Sequence, residues 1–294
     1  MNREAYSPRW ECHGHIFMDG VDYKAARSLH RNAPDTGAIR AHLAVYRSLG
    51  VTYYRDGGDA LGVSLQAKAL AGEYGIRFVT PGFAIHRAGY YGGIVGRSYT
   101  TLGEYRSLVA QAKALGADFI KLMFSGLLDF TKYGKLSCPP LPGAEIRALV
   151  RIAHGEGLAV MAHVNGADAI HAALEAGTDS IEHGYYMDSA GLALLAETGA
   201  VWVPTLAAIA PFGDRPGCRR EVVERLLGEQ ADRLREAAAL GVQIASGSDA
   251  GAFGVPHGGG LMTELDLLER ALGPSGAGLV ESGNRAVARR FCRQ

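Results

Sequence analysis

Eight short apolar runs, each followed by a longer amphipathic stretch, constrain the fold of this chain more than any other feature of its sequence. Strands that alternate with helices in this way are typical of repeated βα units and a parallel sheet. The chain has 294 residues, and one barrel of eight such units takes about 250. We therefore predict an α/β fold with a single domain over residues 1–294, a (β/α)8 TIM barrel.

The boundaries of the units follow from the apolar runs and the glycines between them. Strands are predicted near residues 11–17, 52–55, 77–80, 118–123, 158–163, 180–183, 201–204 and 242–246. Helices are predicted over residues 37–48, 63–74, 102–115, 143–156, 165–176, 189–198, 219–239, 261–272 and, last, 281–294. The loops after the strands are the longer ones, notably residues 82–97, 125–142, 205–218 and 251–260. In such a barrel these loops form the active face.

Charge and composition argue against several classes of partner. Thirty acidic and thirty basic residues give a formal net charge of +0, so no basic patch indicates nucleic acid or an anionic membrane as partner. No run approaches the roughly 20 apolar residues of a membrane span, and the first residues lack the apolar core of a signal peptide. We therefore expect a cytoplasmic protein. The spacing of the four cysteines indicates neither a disulfide framework nor a zinc knuckle.

Side chains that can bind metal cluster at the C-terminal ends of the predicted strands one, four, five, six and eight: His13, His15, Lys121, His163, His183 and Asp249. His13 and His15 are one residue apart, and alternating strand side chains place both on the same side. Taken singly, a core histidine, an ion-paired lysine or a helix-capping aspartate would explain each member. Six of them on one face of one barrel instead indicate a metal site.

Lys121 is the informative member, because a protonated ammonium would be repelled by divalent cations. Burial lowers the pKa of a lysine by up to about 3 to 5 units and leaves a nucleophilic amine. Such an amine reacts with carbon dioxide to give a carbamate whose two oxygens can bridge two metal ions. We therefore predict a CO2-derived carbamate on Lys121 and two divalent cations. Zinc is expected from imidazole and carboxylate ligands, and manganese, iron or nickel would also fit.

The identity and strand order of these residues resemble those of the amidohydrolase superfamily of binuclear metal-dependent hydrolases. The runs at residues 50–56 (GVTYYRD), 180–184 (SIEHG) and 247–251 (GSDAG) are most similar to its imidazolonepropionase and Xaa-Pro dipeptidase-like branch. Many members carry a small β-sandwich built from segments before the first ligand and after the last. Here 12 residues precede His13 and 45 follow Asp249, so we expect a barrel without a β-sandwich.

The resemblance also implies a ligand set and a mechanism. One cation is held by His13, His15 and Asp249. The second is held by His163 and His183, and the carboxylated lysine bridges the two. A metal-bridging hydroxide attacks an amide or cyclic amide in a small molecule, such as a dipeptide or an N-acyl amino acid. Asp249 serves as general base and then as general acid toward the departing nitrogen.

Polar residues near the strand ends are candidates for contact with the substrate: Tyr185, Tyr186, His257, His86, Arg55 and Arg87. A phenol or an imidazole can donate a hydrogen bond to a developing oxyanion. An arginine can clamp a substrate carboxylate through two hydrogen bonds. Aromatic packing, loop capping and a structural ion pair between Arg55 and Asp56 are the alternative explanations.

Two other functions remain compatible with the sequence. A barrel lyase would form a Schiff base on Lys121, but it would leave four strand-end histidines without a role. A metal-free relative retained for binding or scaffolding would be expected to have lost some of the ligands. In each case the expected partner is a small molecule rather than nucleic acid or a membrane, and assembly into a homo-oligomer is left open.

Overall fold

The structure, a computed structural model, describes residues 8–292. Nine strands lie within them: β1 (Arg9–Gly14), β2 (Val51–Asp56), β3 (Arg77–Val79), β4 (Ala84–Arg87), β5 (Gly96–Tyr99), β6 (Ile120–Met123), β7 (Val160–Val164), β8 (Ser180–His183) and β9 (Val201–Val203). The α-helices of this part of the chain are α1 (Tyr23–Leu29), α2 (Thr36–Ser48), α3 (Val63–Ala71), α4 (Leu102–Ala114), α5 (Gly143–Gly155), α6 (Ala167–Glu175), α7 (Ser189–Thr198), α8 (Arg220–Ala239), α9 (Gly259–Leu272) and α10 (Gly276–Phe291).

The strands form two sheets in which every pairing is parallel. One sheet has the order β1-β2-β3, and the other has the order β5-β4-β6-β7-β8-β9. The predicted α/β class with parallel strands is confirmed, and the arrangement is TIM-barrel-like. Within residues 8–292 every strand belongs to one of these two parallel sheets. None of the helices described is both long enough and apolar enough to cross a membrane.

Four glycines that follow helices have the backbone conformation that ends a helix. Gly50, Gly116, Gly177 and Gly241 have φ angles of 71°, 84°, 84° and 75°. An L side chain is strained in this left-handed region, whereas glycine adopts it freely. The helices therefore turn sharply into the next strand or extended segment, and the opposite ends of the strands are left with the longer loops.

The third predicted strand ends earlier than predicted, and the segment predicted as the loop after it contains further strand residues. Pro81 has no backbone N–H to donate to a sheet, and β3 ends at Val79. The chain then resumes as β4, in which Ala84 pairs with Lys121 of β6. Residues 82–97 were predicted as a loop, and that prediction is wrong, because the segment contains β4 and the first two residues of β5.

The eighth predicted strand, residues 242–246, makes sheet-like hydrogen bonds without forming a regular strand. Ala245 N donates to Trp202 O at 2.9 Å, and Cys12 N donates to Ser246 O at 2.9 Å, so the segment bonds to both β9 and β1. The N–H of Ser246 instead donates to the side chain of Asn284 in α10, at 2.9 Å. A helix side chain thus replaces a ladder partner.

The last helix begins five residues earlier than predicted, at Gly276, and Gly283 in its interior permits close packing. A Cβ on Gly283 would lie 2.1 Å from the carbonyl oxygen of Ile244. Glycine costs about 1 kcal/mol in a helix interior relative to alanine. Here it lets α10 contact the backbone beside β1, close to the segment that carries Asp249.

Candidate metal centre

All six predicted ligands line a single cavity of about 500 Å³. We call this set the floor of the cavity: His13, His15, Lys121, His163, His183 and Asp249. Parallel strands deliver their C-terminal ends to the same edge, which is why residues so far apart in sequence meet here. His13 lies in β1, Lys121 in β6 and His183 at the end of β8.

Three members of the floor are close enough to share one metal ion. Ligand atoms of His13, His15 and Asp249 all lie within 4.8 Å of one another. The Nε2 atoms of His13 and His15 are 3.5 and 3.3 Å from Oδ1 of Asp249. This is the three-residue set that the resemblance implies for the first cation.

The remaining members of the floor surround that cluster. The ring centres of His163 and His183 are 4.6 Å apart, and that of His183 is 5.1 Å from that of His13. Lys121 is buried, and its Nζ has no hydrogen-bond partner among the residues described. Burial of an unpaired amine is costly. Conversion to a carbamate would remove the charge of this amine and supply two oxygens to bound cations, so the donor set fits a metal centre.

Burial also sets the protonation of the floor. It lowers the pKa of Lys121 to about 8. Burial, reinforced by the charge of Lys121, lowers the pKa of His13 to about 4 and that of His163 to about 3. Neutral imidazole is the form that binds metal. For Asp249, burial favours the neutral acid, but interaction with the neighbouring imidazoles of His13 and His15, including a hydrogen bond from His15, holds the pKa well below its usual range.

Two buried side chains fix which nitrogen each histidine presents to the cavity. Glu182 Oε2 accepts a hydrogen bond from His13 Nδ1 at 2.8 Å, which leaves Nε2 without its proton. Thr205 donates its hydroxyl to Pro204 O at 2.8 Å, so its oxygen accepts from His183 Nδ1 at 2.7 Å. An acceptor on the far nitrogen is the usual way in which proteins orient histidine ligands.

Backbone strain is concentrated at the same place. Among the described residues, the non-glycine residues with positive φ are His183 (69°), Tyr186 (63°), Thr205 (51°) and Asp249 (59°). Such conformations cost about 1–3 kcal/mol each and persist where the surroundings enforce them. The Asp249 N–H donates to His13 O at 2.7 Å, and the preceding Ser248 N–H donates to buried Glu11 at 2.8 Å. These two hydrogen bonds therefore hold the strained backbone at Asp249 in place.

Comparison with known proteins agrees with this geometry. Residues 12–284 match the sequence profile of the amidohydrolase family. The chain belongs to that family. An ochratoxinase from Aspergillus niger is 27% identical over 307 residues, which cover 89% of this amidohydrolase and 62% of the ochratoxinase. An uncharacterised protein of Mycobacterium tuberculosis is 33% identical over 131 residues, or 42% of this chain and 35% of that protein.

Solved structures share the fold over nearly the whole chain. A Xaa-Pro dipeptidase with bound methionine has a TM-score of 0.76 and 25% identity over 96% of this amidohydrolase and 74% of that chain. A prolidase complexed with N-methylphosphonate-L-proline has a TM-score of 0.73 and 26% identity over 96% and 73% of the two chains. The A. niger ochratoxinase structure has a TM-score of 0.75 at 22% identity, covers 97% and 71%, and supports the fold alone.

Arg55 does not reach the cavity, and its predicted contact with the substrate is corrected. Its guanidinium is fully buried and donates to Glu182 at 2.8 Å, to Ser180 Oγ at 2.9 Å and to Cys12 O at 2.7 Å. These bonds occupy its hydrogen-bonding groups. Its partner is Glu182 rather than Asp56, so Arg55 holds the carboxylate that orients His13 and is a positioning residue of the amidohydrolase.

Arg87 and His86 are also absent from the residues that line the cavity. Arg87 Nη1 donates to Glu145 at 2.8 Å, an ion pair at the start of α5. The His86 ring lies 3.0 Å, through Nδ1, from the carbonyl of Arg87. Their predicted contacts with the substrate are therefore corrected: both stabilise β4 and its surroundings.

Of three predicted oxyanion donors, one lines the cavity and two lie outside its lining. Tyr185 lines the cavity, and its buried Oη has no partner among residues 8–292. The Oη of Tyr186 instead accepts from Gly134 N at 3.0 Å, outside the cavity lining. His257 also lies outside it, between Met18 O at 2.7 Å and Tyr46 Oη at 3.1 Å. Tyr185 remains a candidate donor, and the predicted roles of the other two are corrected.

Sequence reasoning missed several residues that shape the site. Glu182 carries a detectable signal, because a carboxylate inside the buried run of β8 needs a partner, as Lys121 does in β6. Asn165 lines the cavity and accepts from Tyr185 N at 3.0 Å. The ring of Tyr91 lies 5.1 Å from that of His163. Tyr91 comes from a glycine-rich loop in which no spacing marks it.

Proposed function

We propose that this amidohydrolase is a metal-dependent hydrolase that cleaves an amide or cyclic amide C–N bond of a small molecule. The observation that carries the proposal is the meeting of His13, His15 and Asp249 within 4.8 Å, in the cavity that also holds the buried amine of Lys121. The similarity to a dipeptidase and to an ochratoxinase supports it. A dipeptide or an N-acyl amino acid is the substrate class we favour.

The floor provides ligands for two divalent cations, for which zinc is the expected metal. His13, His15 and Asp249 would hold one, His163 and His183 the other, and the carboxylated lysine would serve both. When bound, such cations supply the Lewis acidity that makes water nucleophilic near neutral pH and that polarises a carbonyl. The neutral imidazoles and the anionic carboxylate of the floor suit this role.

The side chains of the floor also move the protons. Asp249 stays ionised, so it can take the proton of the attacking water and pass it to the departing nitrogen. Tyr185 Oη, buried and unpartnered, can donate to the oxyanion that develops on the carbonyl. Glu182 and Thr205 take no part in these transfers; they keep His13 and His183 in the tautomers that face the cavity.

We further propose that the strands form one closed barrel that is a single domain, with residues 242–246 as the eighth strand. Two sets of backbone bonds between the sheets support this proposal. Cys12 N donates to Ser246 O at 2.9 Å on one side. Asp118 N donates to Thr80 O at 2.9 Å on the other. Closure would direct all the strand ends, and so the whole floor, into one cavity.

The lysine is the residue on which to test this proposal. Lys121→Ala should weaken metal binding by about tenfold or more, and short carboxylic acids such as acetate should restore part of it by replacing the carbamate. Metal content by elemental analysis and hydrolysis of a panel of dipeptides and N-acyl amino acids measure the effect. Lys24→Ala, an exposed lysine of α1, is the control. Unchanged metal content in Lys121→Ala, or hydrolysis that survives chelation, would contradict the proposal.

A buried, unpartnered lysine also suits a Schiff-base lyase, and trapping distinguishes the two activities. The native protein is incubated with a carbonyl compound such as pyruvate and then reduced with borohydride. The hydrolase proposal expects no adduct at Lys121 in the metal-loaded protein. A stable adduct on that lysine, located by peptide mass analysis, would favour the lyase.

A further inference from the structure

The cavity is polar at its floor and becomes mostly apolar toward the solvent. Apolar side chains form most of its wall, and four exposed large apolar residues line it where it opens: Val21, Tyr23, Leu127 and Phe253. We call these four, together with Phe212 and Arg215, the mouth of the cavity. Exposed apolar side chains in a cluster indicate a binding surface. The mouth is therefore suited to the apolar part of a substrate whose scissile bond lies on the floor.

One positively charged side chain, Arg215, lies within this apolar mouth. The guanidinium of Arg215 lies 4.1 Å from the ring centre of Phe253 and 5.3 Å from that of Phe212. Contact with two aromatic faces restricts the guanidinium while leaving its edge donors exposed. Arg215 forms no ion pair or side-chain hydrogen bond with any residue in 8–292. The hydrogen-bonding capacity of this arginine is therefore available to a ligand.

The other charges near the cavity cannot take this role. Arg55 and Arg87 are already engaged by Glu182 and Glu145. Lys121 belongs to the floor. Asp22, the acidic residue of the wall outside the floor, caps helix α1 by accepting from Lys24 N at 2.8 Å. Among the described residues that line the cavity, Arg215 is thus the cation that remains for recognition at the mouth.

We propose that Arg215, with the rings of Phe212 and Phe253, forms a subsite for an anionic group remote from the scissile bond of an otherwise apolar substrate. The ligand is a carboxylate carried on an aromatic or aliphatic group. This inference rests on the proposed hydrolase function only for the identity of the substrate. The subsite itself binds ligand without any reaction, so the two can be tested apart.

The test compares two ligands that have no C–N bond and differ in charge, 5-phenylpentanoate and 5-phenyl-1-pentanol. Their binding to the metal-loaded protein is measured by calorimetry for the native chain and for Arg215→Met, Arg215→Lys and Arg151→Met. Arg151 is an exposed arginine of α5 outside the cavity lining. Because Arg215 is exposed, we expect the native protein to prefer the carboxylate by only about three- to tenfold.

Three results together support the subsite. The preference disappears in Arg215→Met, part of it remains in Arg215→Lys, and Arg151→Met behaves as the native protein does. A preference that survives in Arg215→Met would mean that the carboxylate binds elsewhere, for example at the metals, and would overturn the inference. Equal binding of both ligands to the native protein would overturn it too. Neither result would bear on the metal content or hydrolysis that test the proposed function.

Discussion

The floor and the mouth of the cavity are held in place by different forces. On the floor, His13 and His183 are fixed by hydrogen bonds of 2.8 and 2.7 Å to buried acceptors. At the mouth, Phe253 is 41% exposed and is held by ring contacts, 5.7 Å from Phe212 and 4.1 Å from the Arg215 guanidinium. Buried polar networks specify one geometry because each unsatisfied group is costly. Exposed apolar contacts leave more freedom.

This difference separates two kinds of sensitivity. A change on the floor removes a partner from a buried polar group, which costs both stability and metal affinity. A change at the mouth alters the contact with substrate and leaves the folded chain almost unaffected, since surface substitutions usually shift stability by about 0.5 kcal/mol or less. The chemistry is therefore expected to be fixed by the floor, and the substrate preference by the mouth.

The largest expected effect is on the floor itself. Asp249→Asn should reduce turnover by about 10²- to 10⁴-fold, because an amide cannot accept the proton of the attacking water. The amide oxygen can still act as a ligand, so elemental analysis should find most of the metal retained. Asp168→Asn, an exposed aspartate of α6, is the control. Near-native turnover in Asp249→Asn would refute its assigned role.

A smaller effect is expected one contact behind the floor. Glu182→Gln should weaken metal binding by about 10- to 100-fold and lower the free energy of unfolding by about 3–5 kcal/mol, since Arg55 is left as an uncompensated buried charge. Metal titration and urea unfolding measure the two. Glu197→Gln, an exposed glutamate of α7, is the control.

The double variant Arg55→Met/Glu182→Leu separates these two consequences. Replacing both charges by apolar groups should recover part of the stability, while the metal affinity stays low because His13 has lost its acceptor. Metal affinity that returns together with stability would show that Glu182 acts only through the packing of the barrel.

The smallest effect belongs to the mouth. Phe253→Ala should raise KM for a bulky apolar substrate by about fivefold, which corresponds to about 1 kcal/mol of lost apolar burial. The value of kcat, the metal content and the unfolding midpoint should stay native. Leu240→Ala removes an exposed apolar side chain outside the cavity and is the control. A loss of metal in Phe253→Ala would abolish the distinction between the two regions.

The floor could be predicted from the sequence because strand-end position is a local property. A histidine that closes an apolar run, such as His163 or His183, reveals its location without knowledge of any other residue. Parallel topology then brings the strand ends together. The same reasoning located Asp249 correctly, although its strand proved to be irregular.

The residues around the floor were harder to predict, because their roles depend on partners distant in sequence. Arg55 and Glu182 are 127 positions apart, and no spacing in the sequence connects them. An arginine after an apolar strand therefore suits a substrate clamp as well as a buried ion pair. Arg215 lies in an irregular loop between Ala210–Asp214 and α8, where no periodicity indicates that it reaches the cavity.

Helix α10 contacts residues that support the floor of the cavity, although it is distant from most of them in sequence. Phe291, in the last turn of α10, lies 4.4 Å from the guanidinium of Arg55, which holds the carboxylate behind His13. Asn284 of the same helix bonds to the segment that leads to Asp249. Proteolytic cleavage within this helix would therefore disturb the floor of the cavity from behind, without touching the mouth.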